Sequence, residues 1–166
     1  AVKASFTAQI FFTPLHWDHI QGLPFFTPLY IPDNKLHFYA QEKTKTIPGK
    51  TVREILEIQM QYPNFPRQLS QCPAFVEFKT FKWFDKPFML LDEDENDPVV
   101  RRIIGPFAKV SFFELNHPDE CVGYVIEELA TGKKFAIATD TEHYSCLNPN
   151  IQKFCQDVDL LYYDGQ

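Results

Sequence analysis

His16-Trp17-Asp18-His19 puts two imidazoles and a carboxylate within four residues. Neutral imidazole and carboxylate are the nitrogen and oxygen donors that zinc, manganese and iron accept. The run Gln9-Ile10-Phe11-Phe12-Thr13 before them reads as a buried strand. Ile20-Gln21-Gly22-Leu23-Pro24 after them reads as a short helical turn stopped by glycine and proline. The donors therefore crowd the mouth of a strand-to-helix turn. Position 14, where a further histidine would extend the set, is Pro14, which has no donor atom.

Two more segments follow the same grammar of an apolar strand and then a ligand-type residue where the strand leaves the sheet. His117 follows Phe112-Phe113-Glu114-Leu115-Asn116, and Asp140 follows Phe135-Ala136-Ile137-Ala138-Thr139. If these strands lie side by side, their ends converge on one edge, and metal coordination needs that convergence because it draws ligands from several segments. Of the other histidines, His37 sits mid-strand with no acidic neighbour in sequence and reads as structural, whereas His143 follows Asp140 closely enough to share its site. Trp17 and Ile20 read as packing residues, as do Phe25, Phe26 and Tyr30. Nothing marks Cys121, near His117, as a reactive thiolate. There is no Gly-rich phosphate loop and no G-x-S-x-G nucleophile elbow, which argues against a nucleoside-triphosphate enzyme and a serine hydrolase of that type.

These residues need a sheet-rich scaffold, and the composition agrees. A chain of 166 residues, 45% hydrophobic and 23% charged, reads as one globular domain with a sizeable core. The 17 phenylalanines favour pleated surfaces, where aromatic rings pack well. A net charge of -6 and the lack of a basic stripe argue against an extended nucleic-acid duplex as partner. Cys72, Cys121, Cys146 and Cys155 form no CxxC pair and read as reduced thiols. With no apolar stretch near the ~20 residues of a membrane span and no signal-peptide pattern, the expected location is cytoplasmic.

The pattern predicts strands at 8–13, 36–40, 75–81, 88–91, 107–115, 122–128, 133–138 and 158–163, with a turn at Thr131-Gly132. Helical segments are predicted at 17–23, 51–60 and 149–156. Thr51 and Glu54 suit a capping box, and Val52, Ile55, Leu56 and Met60 share one helical face. Residues 91–98 read as a solvated acidic loop without the glycine of an EF-hand. Residues 42–50, 62–74 and 92–106 read as loops that could recognise a substrate. Many strands with a few helices between them suit a layered α+β domain. A chain opening on one strand and closing on another reads as lacking its N- and C-terminal portions, and edge strands left open would suit a homodimer.

Phe11-Phe12-Thr13-Pro14-Leu15-His16-Trp17-Asp18-His19-Ile20-Gln21-Gly22-Leu23-Pro24 resembles the His-x-His-x-Asp-His signature of metallo-β-lactamase-fold hydrolases. Leu115-Asn116-His117-Pro118 resembles the family's next ligand motif. Ala138-Thr139-Asp140-Thr141-Glu142 resembles its bridging-aspartate motif, and Tyr163-Asp164-Gly165-Gln166 the strand before its last histidine. The order and spacing are most similar to the phosphodiesterase-like branch, with ribonuclease Z and the cyclic-phosphate phosphodiesterases. The resemblance implies a four-layer αβ/βα sandwich spanning 1–166 as a single, incomplete domain. It implies a divalent metal site of one or two ions, zinc foremost, with manganese or iron as alternatives. His16 and His117 would hold the first ion, Asp18 and His19 the second, and Asp140 would bridge them. Asp18 and His19 would be the residues on which catalysis depends.

The expected activity is then a metal-dependent hydrolase cleaving a small-molecule or nucleotide-like phosphodiester with a hydroxide held by the metal, whose charge lowers the pKa of bound water from 15.7 to about 7. No membrane partner is expected. Pro14 opens an alternative, a catalytically impaired domain that binds a ligand or partner. A third expectation is thioester or lactam cleavage on the same scaffold.

Overall fold

The computed structural model describes residues 5–43, 46–81, 102–104, 106–143, 145 and 148–164. The expected strand at 88–91, the acidic loop at 91–98 and Cys146 lie outside the described residues. The chain divides into two compact units, Ala1–Trp83 and Phe84–Gln166.

The first unit is built on a parallel sheet of β1 (Thr7–Phe11), β2 (Lys35–Gln41) and β3 (Phe75–Phe81), in that spatial order. Parallel neighbours cannot be joined by a tight hairpin, so each connection carries helical structure. Between β1 and β2 lie α1 (Trp17–Ile20) and two 3-10 turns, Leu23–Phe25 and Thr27–Tyr30; between β2 and β3 lies α2 (Val52–Gln59). The predicted helical turn at 17–23 thus breaks after Ile20. Gly22 keeps an ordinary φ of -77°, and Pro24 enters the first turn of the next 3-10 segment, where its missing N–H costs nothing.

One face of this sheet is its core face. Ala8, Ile10, Leu36, Phe38, Ala40, Val76 and Phe78 alternate along the strands and pack with Val52, Ile55, Leu56 and Met60, the expected stripe of α2. Phe38 is fully buried and meets Phe12 and Phe78 edge-on, at ring-centroid distances of 5.4 and 5.5 Å. The start of α2 is fixed as its sequence indicates. The Thr51 hydroxyl accepts the Glu54 N–H, and the Glu54 carboxylate accepts the Thr51 N–H at 2.7 Å, which holds the Glu54 carboxyl below its ordinary range. Buried Asn34 ties the strand starts together. Its side-chain oxygen accepts the Phe6 N–H, and its carbonyl accepts the Phe75 N–H at 2.8 Å.

The second unit has a five-stranded sheet ordered β4 (Arg102–Ile104), β5 (Ala108–Glu114), β6 (Val122–Glu128), β7 (Lys134–Ala138) and β8 (Leu160–Tyr163). The first four strands are antiparallel neighbours; β8 runs parallel to β7 and is reached through α3 (Pro149–Phe154). Gly132, at φ 70°, makes the expected β6–β7 turn, a conformation that a side chain disfavours. Residues 102–104, read from sequence as part of a recognition loop, are the edge strand β4. The core joins Phe113, Leu115, Val125, Ala136 and Ala138 of the sheet region with Ile151 of α3, and Phe113 stacks on Phe154 at 4.8 Å.

Among the described residues, no helix is long and apolar enough to cross a membrane. Cys72, Cys121 and Cys155 are in no disulfide there.

Candidate functional site

Each unit carries its ligand-type residues where a strand ends. In the first, the ladder of β1 continues one residue past its end, with the Phe12 N–H donating to the Tyr39 carbonyl at 2.9 Å. Phe12, Pro14 and Leu15 are buried, and this anchored segment delivers His16 as the N-cap of α1. The His16 side chain makes no capping bond, while its carbonyl accepts the His19 and Ile20 N–H groups at 3.1 and 3.2 Å. Ile20 is the buried residue of this four-residue helix, and its carbonyl accepts a bond from the Gln59 side chain at 3.1 Å, which ties α1 to α2.

Asp18 and His19 stand side by side in that turn, with a carboxylate oxygen 3.4 Å from His19 Nε2. The Asp18 side chain is 70% exposed and the His19 side chain 23%. Trp17 departs from expectation. It is 67% exposed rather than packed, because a single turn has one face to bury and Ile20 occupies it. Phe25 departs likewise at 75% exposure, touching Phe65 edge-on; Phe26 and Tyr30 do pack against the core.

In the second unit, His117 lies in the β5–β6 connection. The Leu115 N–H donates to the Cys121 carbonyl at 3.0 Å and closes the base of this loop. His117 Nδ1 lies 2.7 Å from the Asp119 carbonyl and 3.2 Å from the Asp119 N–H. One ring nitrogen cannot donate and accept at once. The shorter contact assigns the proton to Nδ1, donating to the carbonyl. That tautomer puts the lone pair on Nε2, the form in which a histidine ligates a metal with its ring held by an outer partner.

Asp140 lies two residues past β7, at φ 52°. The left-handed region is unusual for a residue with a side chain, though aspartate tolerates it better than most. Its N–H donates to Asp164 Oδ2 at 3.0 Å, and the Asp164 N–H donates to the Ala138 carbonyl at 3.0 Å. The His117 and Asp140 loops are stitched to each other, because the Asn116 amide donates to the Glu142 carbonyl at 2.9 Å and the Glu142 N–H to the Asn116 carbonyl. Sequence reasoning gave no role to Asn116, Asp119 or Asp164. Asp164 carried the relevant signal, since it too follows an apolar strand, Leu160–Tyr163.

His143 has the Tyr163 hydroxyl 3.0 Å from its Nε2. Burial, then the nearby Cys155 and Asp164, push the Tyr163 hydroxyl up. Cys121 is buried and its thiol points to the Thr139 carbonyl at 3.6 Å, a packing role. His37 does have an acidic neighbour, contrary to its sequence context. The parallel β2–β3 register places it opposite Glu77, and its Nδ1–H donates to the Glu77 carboxylate at 2.6 Å. That bond, with smaller help from Lys79, lowers the Glu77 carboxyl below its ordinary range.

The donors fit a divalent metal by type. The first unit supplies His16, Asp18 and His19, and the second a His117 with its Nε2 lone pair and the carboxylate of Asp140; Pro14 supplies none.

Residues 6–166 match the family model described as a beta-lactamase superfamily domain. Among solved structures, human tRNase Z, short form (ELAC1), is 21% identical with a TM-score of 0.53, over 92% of this chain and 55% of that one. The metallo-beta-lactamase fold protein YhfI from Bacillus subtilis is 14% identical with a TM-score of 0.51, over 92% of this chain and 47% of that one. Unliganded yeast PDE1 is 11% identical with a TM-score of 0.46, over 89% and 38%. The chain thus spans about half the length of the first two. No curated protein sequence matches it. The two sheets and their helices are an α+β metallo-β-lactamase fold, as the motif order implied.

Proposed function

The chain belongs to the beta-lactamase superfamily, in its metallo-β-lactamase-fold form, and from that premise we propose that it serves a metal-dependent hydrolase that cleaves a phosphodiester. The observation that carries this is the placement of ligand-type side chains past the ends of β1, β5 and β7, within the span of the family match. His16 and His117 would hold one dication, Asp18 and His19 a second, and Asp140 would serve both. Zinc suits this set of nitrogen and oxygen donors, as do manganese and iron. A bound dication supplies Lewis acidity at a phosphoryl oxygen and an acidified water.

The chain's own residues do the positioning. The Asp119 carbonyl fixes the ring plane and tautomer of His117. The first turn of α1 holds Asp18 and His19 against each other, and the Gln59 bond holds that turn to α2. The substrate class is a small or nucleotide-like phosphodiester, because an acidic chain of net charge -6 repels the dense charge of an extended duplex.

A second reading has its own observation. Pro14 is fully buried and offers no donor where the family's first histidine stands, which favours a domain that binds a ligand or partner and turns it over poorly. Metal content by elemental mass spectrometry and turnover of bis(4-nitrophenyl) phosphate decide between them. One or two metals per chain, with turnover abolished in Asp18→Ala and His19→Ala, support the hydrolase. Metal-free protein after incubation with zinc or manganese, or full turnover in those variants, refutes it.

A further inference from the structure

We propose that Asp164 is a positioning residue: its carboxylate sets the backbone of Asp140 and, through it, the direction in which the Asp140 carboxylate is presented. This rests on Asp140 being a metal ligand, as proposed above.

The geometry is a bracket around one residue, Thr139. On one side the Asp164 N–H donates to the Ala138 carbonyl at 3.0 Å, one step beyond the parallel β7–β8 register that pairs Ala138 with Tyr163. On the other side Asp164 Oδ2 accepts the Asp140 N–H at 3.0 Å. Asp140 lies past the end of β7, with its backbone at φ 52° outside the extended ladder, and its amide is served by this side chain. A carboxylate is the stronger kind of acceptor for it, because a hydrogen bond to an ionised group is shorter and roughly twice as strong as a neutral one. A left-handed aspartate persists where its surroundings over-determine it, and the Asp164 side chain contributes one such constraint here. The same bond orients a ligand from one shell out, as supporting partners of metal-binding groups do.

The chemistry separates the acceptor from the charge. Asp164→Asn keeps a side-chain oxygen at the same reach, while Asp164→Ala removes it. Zinc affinity of the full chain is measured by competition with a chromophoric chelator, with zinc alone as probe. Hydrogen exchange at the Asp140 amide is measured on the metal-free chain. In Asp164→Ala, zinc affinity is expected to fall about 10- to 100-fold and the Asp140 amide to exchange about 10-fold faster or more. In Asp164→Asn both are expected within roughly a few-fold of the wild type, a rescue that a general loss of strand packing would not give.

If Asp164→Ala loses amide protection yet binds zinc as the wild type does, the positioning role is overturned while the metal site stands. If Asp164→Asn loses zinc as Asp164→Ala does, with its amide still protected, charge rather than the bond matters and the inference fails. If the wild-type chain binds no zinc, the ligand reading of Asp140 fails and takes this inference with it.

Discussion

Replacing Pro14 by histidine tests at once what this position does and what the site requires. Pro14 is fully buried, between buried Phe12 and Leu15 on the segment that leads from β1 to His16. Histidine puts a flat ring with two polar nitrogens in place of an apolar one, and adds a backbone N–H that the native chain lacks. A buried polar group without a partner costs about 1–3 kcal/mol, and forcing a larger ring into a packed space about 1–3 kcal/mol more. The metal-free variant should therefore lose about 2–6 kcal/mol, a large share of the roughly 5–15 kcal/mol that a native protein has. Each kcal/mol moves the melting temperature of a chain this size by about 2–4 °C, so a drop of at least about 4 °C is expected.

Zinc should reverse part of it. An ion at a hundred times its dissociation constant stabilises the folded state by about 2.7 kcal/mol. An imidazole at position 14 that ligates the ion tightens that constant, so zinc should raise the variant's melting temperature by more than it raises the wild type's. Intrinsic fluorescence is the natural probe, because Trp17 opens α1 three residues after position 14. The reasoning is refuted if the variant melts like the wild type without zinc and zinc shifts both equally. Position 14 would then be neither a tight apolar site nor a ligand position.

Gly123 pairs with Phe113 across β5 and β6, and a Cβ there would meet Phe113 Cζ at 2.6 Å and the Ile137 carbonyl oxygen at 2.9 Å. Gly123→Ala should destabilise the second unit by about 1–3 kcal/mol, read by urea denaturation followed by circular dichroism; an unchanged midpoint would show that Phe113 turns aside freely. Glu77 gives a pH signature. Its folded carboxyl is held below the ordinary value of 4.5, so it stabilises the fold above that value and the contribution is lost as pH falls through the lowered one. The stability gap between wild type and Glu77→Gln should be present at neutral pH, shrink as pH falls below the ordinary value of 4.5 and shrink with salt, since the carboxylate is half exposed; a gap that persists in strong acid would remove the His37–Glu77 bond as its cause.

Elements whose cause is local were legible in the sequence. The Thr51–Glu54 box and the stripe Val52, Ile55, Leu56 and Met60 announce α2, because both signals lie within ten residues and depend on nothing else. The strands of the second sheet showed themselves by alternation and by the Thr131-Gly132 turn. β4 did not, since three residues cannot display a period and only the partner β5 makes them a strand. Trp17 and Phe25 misled for a related reason. Hydrophobic type reports what a residue could bury, whereas a one-turn helix and a three-residue 3-10 turn have too little face to bury it all.

Pairings across sequence mark the same boundary at the candidate site. His37 seemed to lack an acid because Glu77 is 40 residues away, and only the parallel register of β2 and β3 makes them neighbours. Asp140 and Asp164 are 24 residues apart and meet only because α3 returns the chain beside β7. The ligand-type residues could be named from the rule that donors follow strands. Asp119 is close in sequence to the His117 it holds, but Asp164 obeys no local rule, since its partner is chosen by register, and register is a property of the assembled sheet. Asp164 lies on both sides of this line: it follows a strand as the ligand-type residues do, yet here it holds the backbone of one of them. That doubleness is why the pair Asp164→Asn and Asp164→Ala is informative. The shared position after a strand treats Asp164 as one more candidate ligand, for which loss of the charge should matter, while the assembled sheet makes it an acceptor, for which an amide oxygen should serve.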